Sequence, residues 1–306
     1  MDLDYDVIII GSGPAGLTAG LYTSRARLIT LILERETLGG ELMNRETIEN
    51  YPGFDEGIMG PDLGSQMLNQ VMALGTKIEF TEVNGLAITG DQKIVSTAQG
   101  EFWGRGVIIA GGAHPKKLGV PGEDDFAHRG VFSCATCDGP SYANKVVAVA
   151  GGGDSGVTEA LILARMCSKV YLLELLSRLT ASQVLQERVK ENPAIEVLCG
   201  TQITAIRGQE QVESIDIIKG PGGEQSSLAV TGVLMHIGIE PNSDYLKGII
   251  LLNEQGQVIV NEWMATGVPG VFAAGDIRAN SSQQISTAVG DGATAAMTLI
   301  RYLNKH

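Results

Sequence analysis

No stretch of the chain is apolar over the roughly 20 residues that a membrane-spanning helix needs. Basic residues are scarce: 22 Lys and Arg stand against 35 Asp and Glu, a formal net charge of −13. A general nucleic-acid binder needs the opposite balance, because phosphate neutralisation requires a basic face. Histidine and cysteine number four each in 306 residues. The histidines lie scattered at 114, 128, 236 and 306, and no second close cysteine pair accompanies Cys134 and Cys137, so a zinc site of four ligands is disfavoured. The segment MDLDYDVIII is acidic and leads straight into an apolar strand, unlike a secretory signal. The expected setting is cytoplasmic, where cysteines are catalytic or buried rather than structural disulfides.

Glycine, by contrast, is plentiful: 40 residues, in clusters rather than in a fixed period. With 44% hydrophobic and 19% charged residues the chain has the balance of a globular protein, and its length suffices for two cores. Val7–Ile10 is a continuous apolar run of the kind found in a buried parallel strand. The turn Gly11-Ser12-Gly13-Pro14-Ala15-Gly16 comes next, then a helix to about Ala26 and a strand over Leu28–Leu33. The pattern returns in mid-chain: strand Val146–Ala150, turn Gly151-Gly152-Gly153-Asp154-Ser155-Gly156, helix Val157–Met166, strand Val170–Leu173. Glu34 and Glu174 stand at the same distance from the first glycine of their respective turns. This repeat of a βαβ unit predicts an α/β protein of two Rossmann-like, three-layer dinucleotide-binding domains.

Short strands are expected through Thr76–Ala110, over Glu213–Ile218 and over Leu228–Ile237, with a turn at Gly220-Pro221-Gly222-Gly223. Gly270–Asp276 reads as a strand ending in an acidic turn, and about Gln283–Leu303 as a closing helix. Linkers are expected at His114–Pro121 and Glu240–Asn242, so that the second domain is inserted into the first.

A glycine turn between strand and helix lets backbone approach phosphate, and the helix start offers free N–H groups and a positive dipole to a pyrophosphate. Glu34 is placed to accept hydrogen bonds from ribose hydroxyls; the bland reading makes it a solvated strand end. Cys134-Ala135-Thr136-Cys137 is the sharpest local signal. Two cysteines so spaced at a helix start can close a disulfide with Cα atoms roughly 5–6 Å apart, and a helix start favours thiolate. Asp138 comes next as a candidate proton donor or acceptor. Cys167 and Cys199 read as small buried side chains rather than reactive thiols.

Taken together, these motifs resemble the low-molecular-weight thioredoxin reductases within the pyridine nucleotide–disulfide oxidoreductases. The resemblance runs through Gly11–Gly16, Gly39-Gly40, Glu49-Asn50-Tyr51-Pro52-Gly53, Cys134-Ala135-Thr136-Cys137-Asp138-Gly139, Gly151–Ser155, Ile237-Gly238 with Pro241-Asn242, and Gly270–Asp276. It implies an FAD domain over 1–115 and 245–306 and a nicotinamide-binding-like domain over 116–244 carrying the cysteine pair. FAD would be held by Gly11, Gly13, Pro14, Ala15, Gly16, Glu34, Gly40, Glu41, Asn50, Gly111, Gly275, Asp276, Gln284 and Ile285. The nicotinamide cofactor would fall to Gly151, Gly153, Asp154, Ser155 and Glu174. The implied activity is a relay from a reduced nicotinamide through FAD to the Cys134–Cys137 disulfide, and on to thioredoxin or a thioredoxin-like protein. Family members are usually homodimers and rotate the middle domain during turnover. The resemblance gives Cys137 the flavin-facing role and Cys134 the partner-facing one.

Three places, five positions in all, depart from the family. Where members carry His-Arg-Arg to hold the 2′-phosphate of NADPH, this chain reads Glu174-Leu175-Leu176. A carboxylate repels a 2′-phosphate and suits a free 2′-hydroxyl, which favours NADH over NADPH. Relatives lacking the basic motif also include enzymes fed by ferredoxin without nicotinamide, and that alternative stands. The segment also resembles the flavoprotein reductase of peroxiredoxin systems. Glu41 replaces a usual glutamine and Gln283 a usual arginine; an ionised Glu41 near the flavin would lower its potential, and an exposed one would not. A non-enzymatic flavin binder is the remaining alternative, against which both cysteines and Asp138 speak.

Overall fold

The computed structural model describes residues 5–220, 222–223 and 225–305. Pro221 of the expected turn, His306 and the first four residues of the acidic N-terminal segment lie outside them. The described chain divides into two compact units, one formed by the chain up to His114 together with the chain from Glu240, the other by Pro115–Ile239. The return to the first unit thus falls at 239/240, against the expected 244/245.

In the first unit, β1 (Tyr5–Ile10), α1 (Pro14–Arg25) and β2 (Thr30–Glu34) form the expected βαβ start. β1 pairs in parallel with β2 on one side and with Gly100–Ile109 on the other. Because side chains alternate along a strand, Val7 and Ile9 join one core with α1 and the terminal helix Ile285–Leu303, through Leu17, Ala295 and Leu299. Ile8 and Ile10 join a second core with Leu86, Val95, Leu246 and Val258. A strand buried on both faces cannot alternate apolar with polar, which is why β1 reads as an unbroken apolar run.

The second unit repeats the scheme. β3 (Val146–Ala150), α3 (Asp154–Leu163) and β4 (Lys169–Glu174) come after a short helix, α2 (Ala135–Asp138). The parallel sheet runs in the order Val131–Phe132, β5 (Gly232–Met235), β3, β4, Ile195–Cys199. Val147 and Val149 face α3 through Val157, Ala160 and Leu163. Ala148 and Ala150 face a three-stranded antiparallel sheet through Ile203, Val212 and Ile215. Each unit is therefore three-layered. The short strands expected over Leu228–Ile237 belong to two sheets: Gln225–Ala229 closes the antiparallel sheet, and β5 enters the parallel one. The chain changes sheets at Thr231, whose N–H donates to the Val146 carbonyl, and no local signal marks that exchange. Helices Gly60–Met72 and Gln183–Glu191 also lie where none was predicted.

The glycine turns hold each helix against its strand. Gly11 and Gly151 have φ of +100° and +117°, and a Cβ on either would overlap a carbonyl oxygen of the neighbouring segment, Ala110 or His236. A Cβ on Gly16 or Gly156 would overlap the carbonyl of Gly11 or Gly151. Among the described residues no helix is long and apolar enough to cross a membrane. Gly156→Ala should destabilise the protein by about 1–3 kcal/mol through overpacking, whereas Gly153→Ala, whose Cβ would find its nearest neighbour at 3.7 Å, should fold normally. Urea unfolding followed by circular dichroism compares the two.

Candidate active site

Two clamps of the same pattern sit at the ends of β2 and β4. Glu34 accepts the Ser12 N–H (2.8 Å) and hydroxyl (2.7 Å) on one carboxylate oxygen, and the Glu36 N–H (2.9 Å) on the other. Glu174 accepts the Gly152 N–H (2.7 Å) on one oxygen and the Leu176 N–H (2.8 Å) on the other. Each carboxylate is thereby fixed beside the turn that opens a helix, α1 or α3. Neither helix start has a side-chain cap, so first-turn N–H groups remain for an anion. Nothing lies within 4 Å of a Cβ built on Gly13; the backbone there is open to close approach.

Most of the residues predicted to hold FAD come together in the first unit. A Cβ on Gly40 would meet Gly13 at 3.1 Å, one on Gly275 would meet Ala15 at 3.0 Å, and one on Gly11 would meet Gly111 at 3.1 Å. Pro14 and Gly16 belong to the first turn of α1. Asn50 donates its amide to the Gln284 side-chain oxygen (3.0 Å). Gln284 precedes Ile285, the first residue of the terminal helix, which packs with Leu42, Ile48 and Leu63. Ser281 donates to Asp276 (3.0 Å). Open backbone, an uncapped helix start and an anchored carboxylate make a donor set that fits a dinucleotide with a pyrophosphate and a ribose. Glu41 lies exposed in a short 3₁₀ turn beside Gly40.

In the second unit Gly151, Gly153, Asp154 and Ser155 form the head of α3. Asp154 accepts the Ser182 N–H (2.7 Å), tethering the segment after β4. That segment carries Leu175 and Leu176 exposed at 66% and 54%, and Arg178 is its sole basic residue.

Cys134 and Cys137 are joined as a disulfide with Cα atoms 5.4 Å apart. Cys134 caps α2, its sulfur accepting the Cys137 N–H at 3.1 Å. Cys137 is exposed and Cys134 half-buried. Asp138 closes α2, and its N–H donates to the Cys134 carbonyl (3.1 Å). Burial pushes the Cys167 thiol up to about 11, and burial and then the Glu174 charge raise that of Cys199. Neither free cysteine is therefore set up as a nucleophile. Among the described residues no cluster of three or more His, Cys, Asp or Glu is arranged to hold a metal.

Two features had no sequence signal. Arg278 forks onto Asp291 (2.6 and 2.9 Å), and Asp291 also accepts the Gly275 N–H (3.1 Å), bracing the turn that carries Asp276. Glu159 accepts the Ala135 N–H (2.6 Å), one residue from Cys134. Both depend on partners far apart in sequence.

Residues 5–292 match the family described as Pyridine nucleotide-disulphide oxidoreductase. Thioredoxin reductase of Bacillus subtilis (strain 168) is 41% identical over 302 residues, covering 98% of this chain and 95% of the relative. The crystal structure of Lactococcus lactis thioredoxin reductase superposes with a TM-score of 0.97 at 38% identity, covering 99% of this chain and 100% of that one. A ferredoxin-flavin thioredoxin reductase from Clostridium acetobutylicum matches with a TM-score of 0.55 at 29% identity, over 99% of both chains.

Burial, reinforced by the Asp291 charge, raises the Asp276 carboxyl above its ordinary value of 3.8, against the pull of Ser281, Arg278 and Arg45. A carboxyl raised on folding contributes stability that is fully present below pH 3.8 and lost as pH rises through its folded value. In protein stripped of cofactor, Asp276→Asn should therefore be more stable than the parent at pH 7, with the advantage vanishing toward pH 3.8. Urea unfolding across that range checks the sign.

Proposed function

The chain belongs to the pyridine nucleotide-disulphide oxidoreductase family, alongside the thioredoxin reductases, and we propose that it reduces the disulfide of thioredoxin or a thioredoxin-like protein, with FAD as its flavin and NADH as its donor. The Cys134–Cys137 disulfide at a helix start carries this reading. Its reduction takes two electrons and two protons and yields two thiols. Deprotonation of one gives the thiolate that attacks a partner disulfide. The partner S–S bond breaks, a mixed disulfide forms, and the remaining thiol resolves it, restoring the ring and releasing the partner as a dithiol. The N–H of Cys137, already on the Cys134 sulfur, stabilises charge there. Cys134 is assigned to the partner and Cys137 to the flavin, with Asp138 as the nearby proton carrier.

FAD, when bound, supplies two-electron exchange between a nicotinamide and a disulfide. Gly11–Gly16 and Glu34 would hold its pyrophosphate and ribose, with Gly40, Asn50, Gly111, Asp276 and Gln284 completing the site. The Arg278–Asp291 pair supports this assignment of Asp276 by bracing its turn. The reading carries with it a cytoplasmic setting and a homodimer.

Glu174 supports NADH. Its carboxylate is held like that of Glu34, so it is oriented for a ribose diol, and its charge opposes a 2′-phosphate. The exposed Leu175 and Leu176 offer that phosphate no cation. The same absence favours, as a second reading, a ferredoxin donor like that named for the Clostridium relative.

Anaerobic mixing of FAD-loaded protein with each nicotinamide, followed by flavin bleaching, tests the donor. NADH should bleach at least tenfold faster than NADPH, roughly the effect of one unpaired charge at such a site. Glu174→Gln should narrow the gap by speeding NADPH. Failure with both nucleotides, in protein that dithionite still bleaches, would replace NADH by the ferredoxin reading. Cys134→Ser and Cys137→Ser should each abolish thioredoxin reduction in a coupled insulin-turbidity assay while leaving FAD bound.

A further inference from the structure

Glu159 is buried, with 4% exposure, on α3 of the second unit. A carboxylate in such a place is costly unless hydrogen-bonded and charge-compensated. The hydrogen bond is supplied by one element, and another brings up an imidazole that compensates the charge when it is protonated. One oxygen accepts the Ala135 N–H at 2.6 Å; the other lies 3.9 Å from Nε2 of His236, whose side chain is only 15% exposed. His236 comes directly after β5 and is itself fixed: its N–H donates to the Ala150 carbonyl at 2.8 Å. Its Cβ lies 3.5 Å from where a side chain on Gly156 would begin, ordinary van der Waals contact with the head of α3.

Ala135 is the residue after Cys134 and is completely buried. The N–H groups at the start of α2 are thus divided: that of Cys137 goes to the Cys134 sulfur, and that of Ala135 to Glu159. We infer that Glu159 and His236 form a charge-compensated pair that positions the dithiol segment and sets the proton affinity of Cys134, an inference that rests on Cys134–Cys137 being the working redox pair. The physical reason is a balance of two charges. An ionised carboxylate bonded to the next residue opposes a thiolate at Cys134, and a protonated imidazole on the far side of that carboxylate relieves the opposition. Other ionisable groups on the packed elements are Asp138 and Tyr142 along the dithiol segment, Asp154 at the head of α3 and Glu174 at the end of β4. The charged side chains of Gln183–Glu191 are solvent-exposed. None of these hydrogen-bonds the N–H of the residue after Cys134; Glu159 does.

The experiment reads Cys134 directly. Full-length protein is reduced with dithiothreitol, freed of reductant, and pulse-labelled with iodoacetamide across pH 5–10; label on Cys134 is quantified by peptide mass spectrometry. Glu159→Gln keeps an acceptor for the Ala135 N–H and removes the charge, and should lower the labelling midpoint by about one pH unit. His236→Asn leaves the carboxylate uncompensated and should raise the midpoint by a similar amount. In the Glu159→Gln background, His236→Asn should change nothing further, since the pair acts as a unit. An unmoved midpoint in Glu159→Gln, shifts of the same sign in the two single variants, or an undiminished His236→Asn effect in the double variant overturns the inference. Should His236→Asn fail to fold, His236→Gln carries the same comparison. Labelling requires neither flavin nor donor. Midpoints that move as expected, in an enzyme whose disulfide never takes electrons from its flavin, would sink the functional reading and leave the pair's effect on Cys134 standing.

Discussion

A helix start packed against the end of a buried strand through a glycine-rich turn is the constraint on which both units depend. At Gly11 and Gly151 the backbone turns through positive φ, and at Gly16 and Gly156 the helix touches the turn so closely that a methyl group would strike a carbonyl. Once the helix is brought that near, its first N–H groups are exposed at the strand end and must be used. A carboxylate at the end of the next strand takes an N–H of the turn just before the helix, Ser12 by Glu34 and Gly152 by Glu174. Those of the helix itself are left for an anion. Binding capacity is therefore a by-product of how the helix is seated.

Ionic groups inside the units obey a similar logic. Asp291 is buried yet meets a forked Arg278 and a backbone N–H, so a charge removed from water keeps partners on both oxygens. Glu159 accepts the Ala135 N–H on one oxygen and has the His236 ring 3.9 Å from the other. In each case the buried acid braces a turn that carries a residue of the proposed chemistry, Asp276 or Cys134. Rigid anchoring of a reactive segment by a satisfied interior charge is a recurrent way to hold geometry. Asp276 differs: its carboxyl is half-buried with a like charge nearby, and burial raises its proton affinity at some cost to the fold.

The two dinucleotide-type turns differ in the residues just beyond their second strands. After Glu34 come Arg35 and Glu36; after Glu174 come two exposed leucines. Exposed leucines neither neutralise a phosphate nor accept a hydrogen bond, so in the proposed reading the charged side chains left to discriminate among nucleotides are Glu174 and Arg178. The Glu174 carboxylate is the one whose orientation two backbone N–H groups fix.

Much of this was legible in the chain itself. The run Val7–Ile10, the two glycine turns and the equal spacing to Glu34 and Glu174 are local features, and local geometry dictates them: a strand buried on both faces must be apolar throughout, and only glycine fits at Gly11, Gly16, Gly151 and Gly156. The cysteine pair was legible for the same reason, since its ring closes within one helical turn. Tertiary structure alone decided the rest. It drew Asn50 onto Gln284, Asp291 onto Arg278 and Glu159 onto Ala135 and His236, and it broke Leu228–Ile237 between two sheets. Those pairings join residues distant along the chain, so neither periodicity nor spacing records them. They exist only because two packed layers bring particular strand ends and helix faces together, and that proximity comes from the fold as a whole.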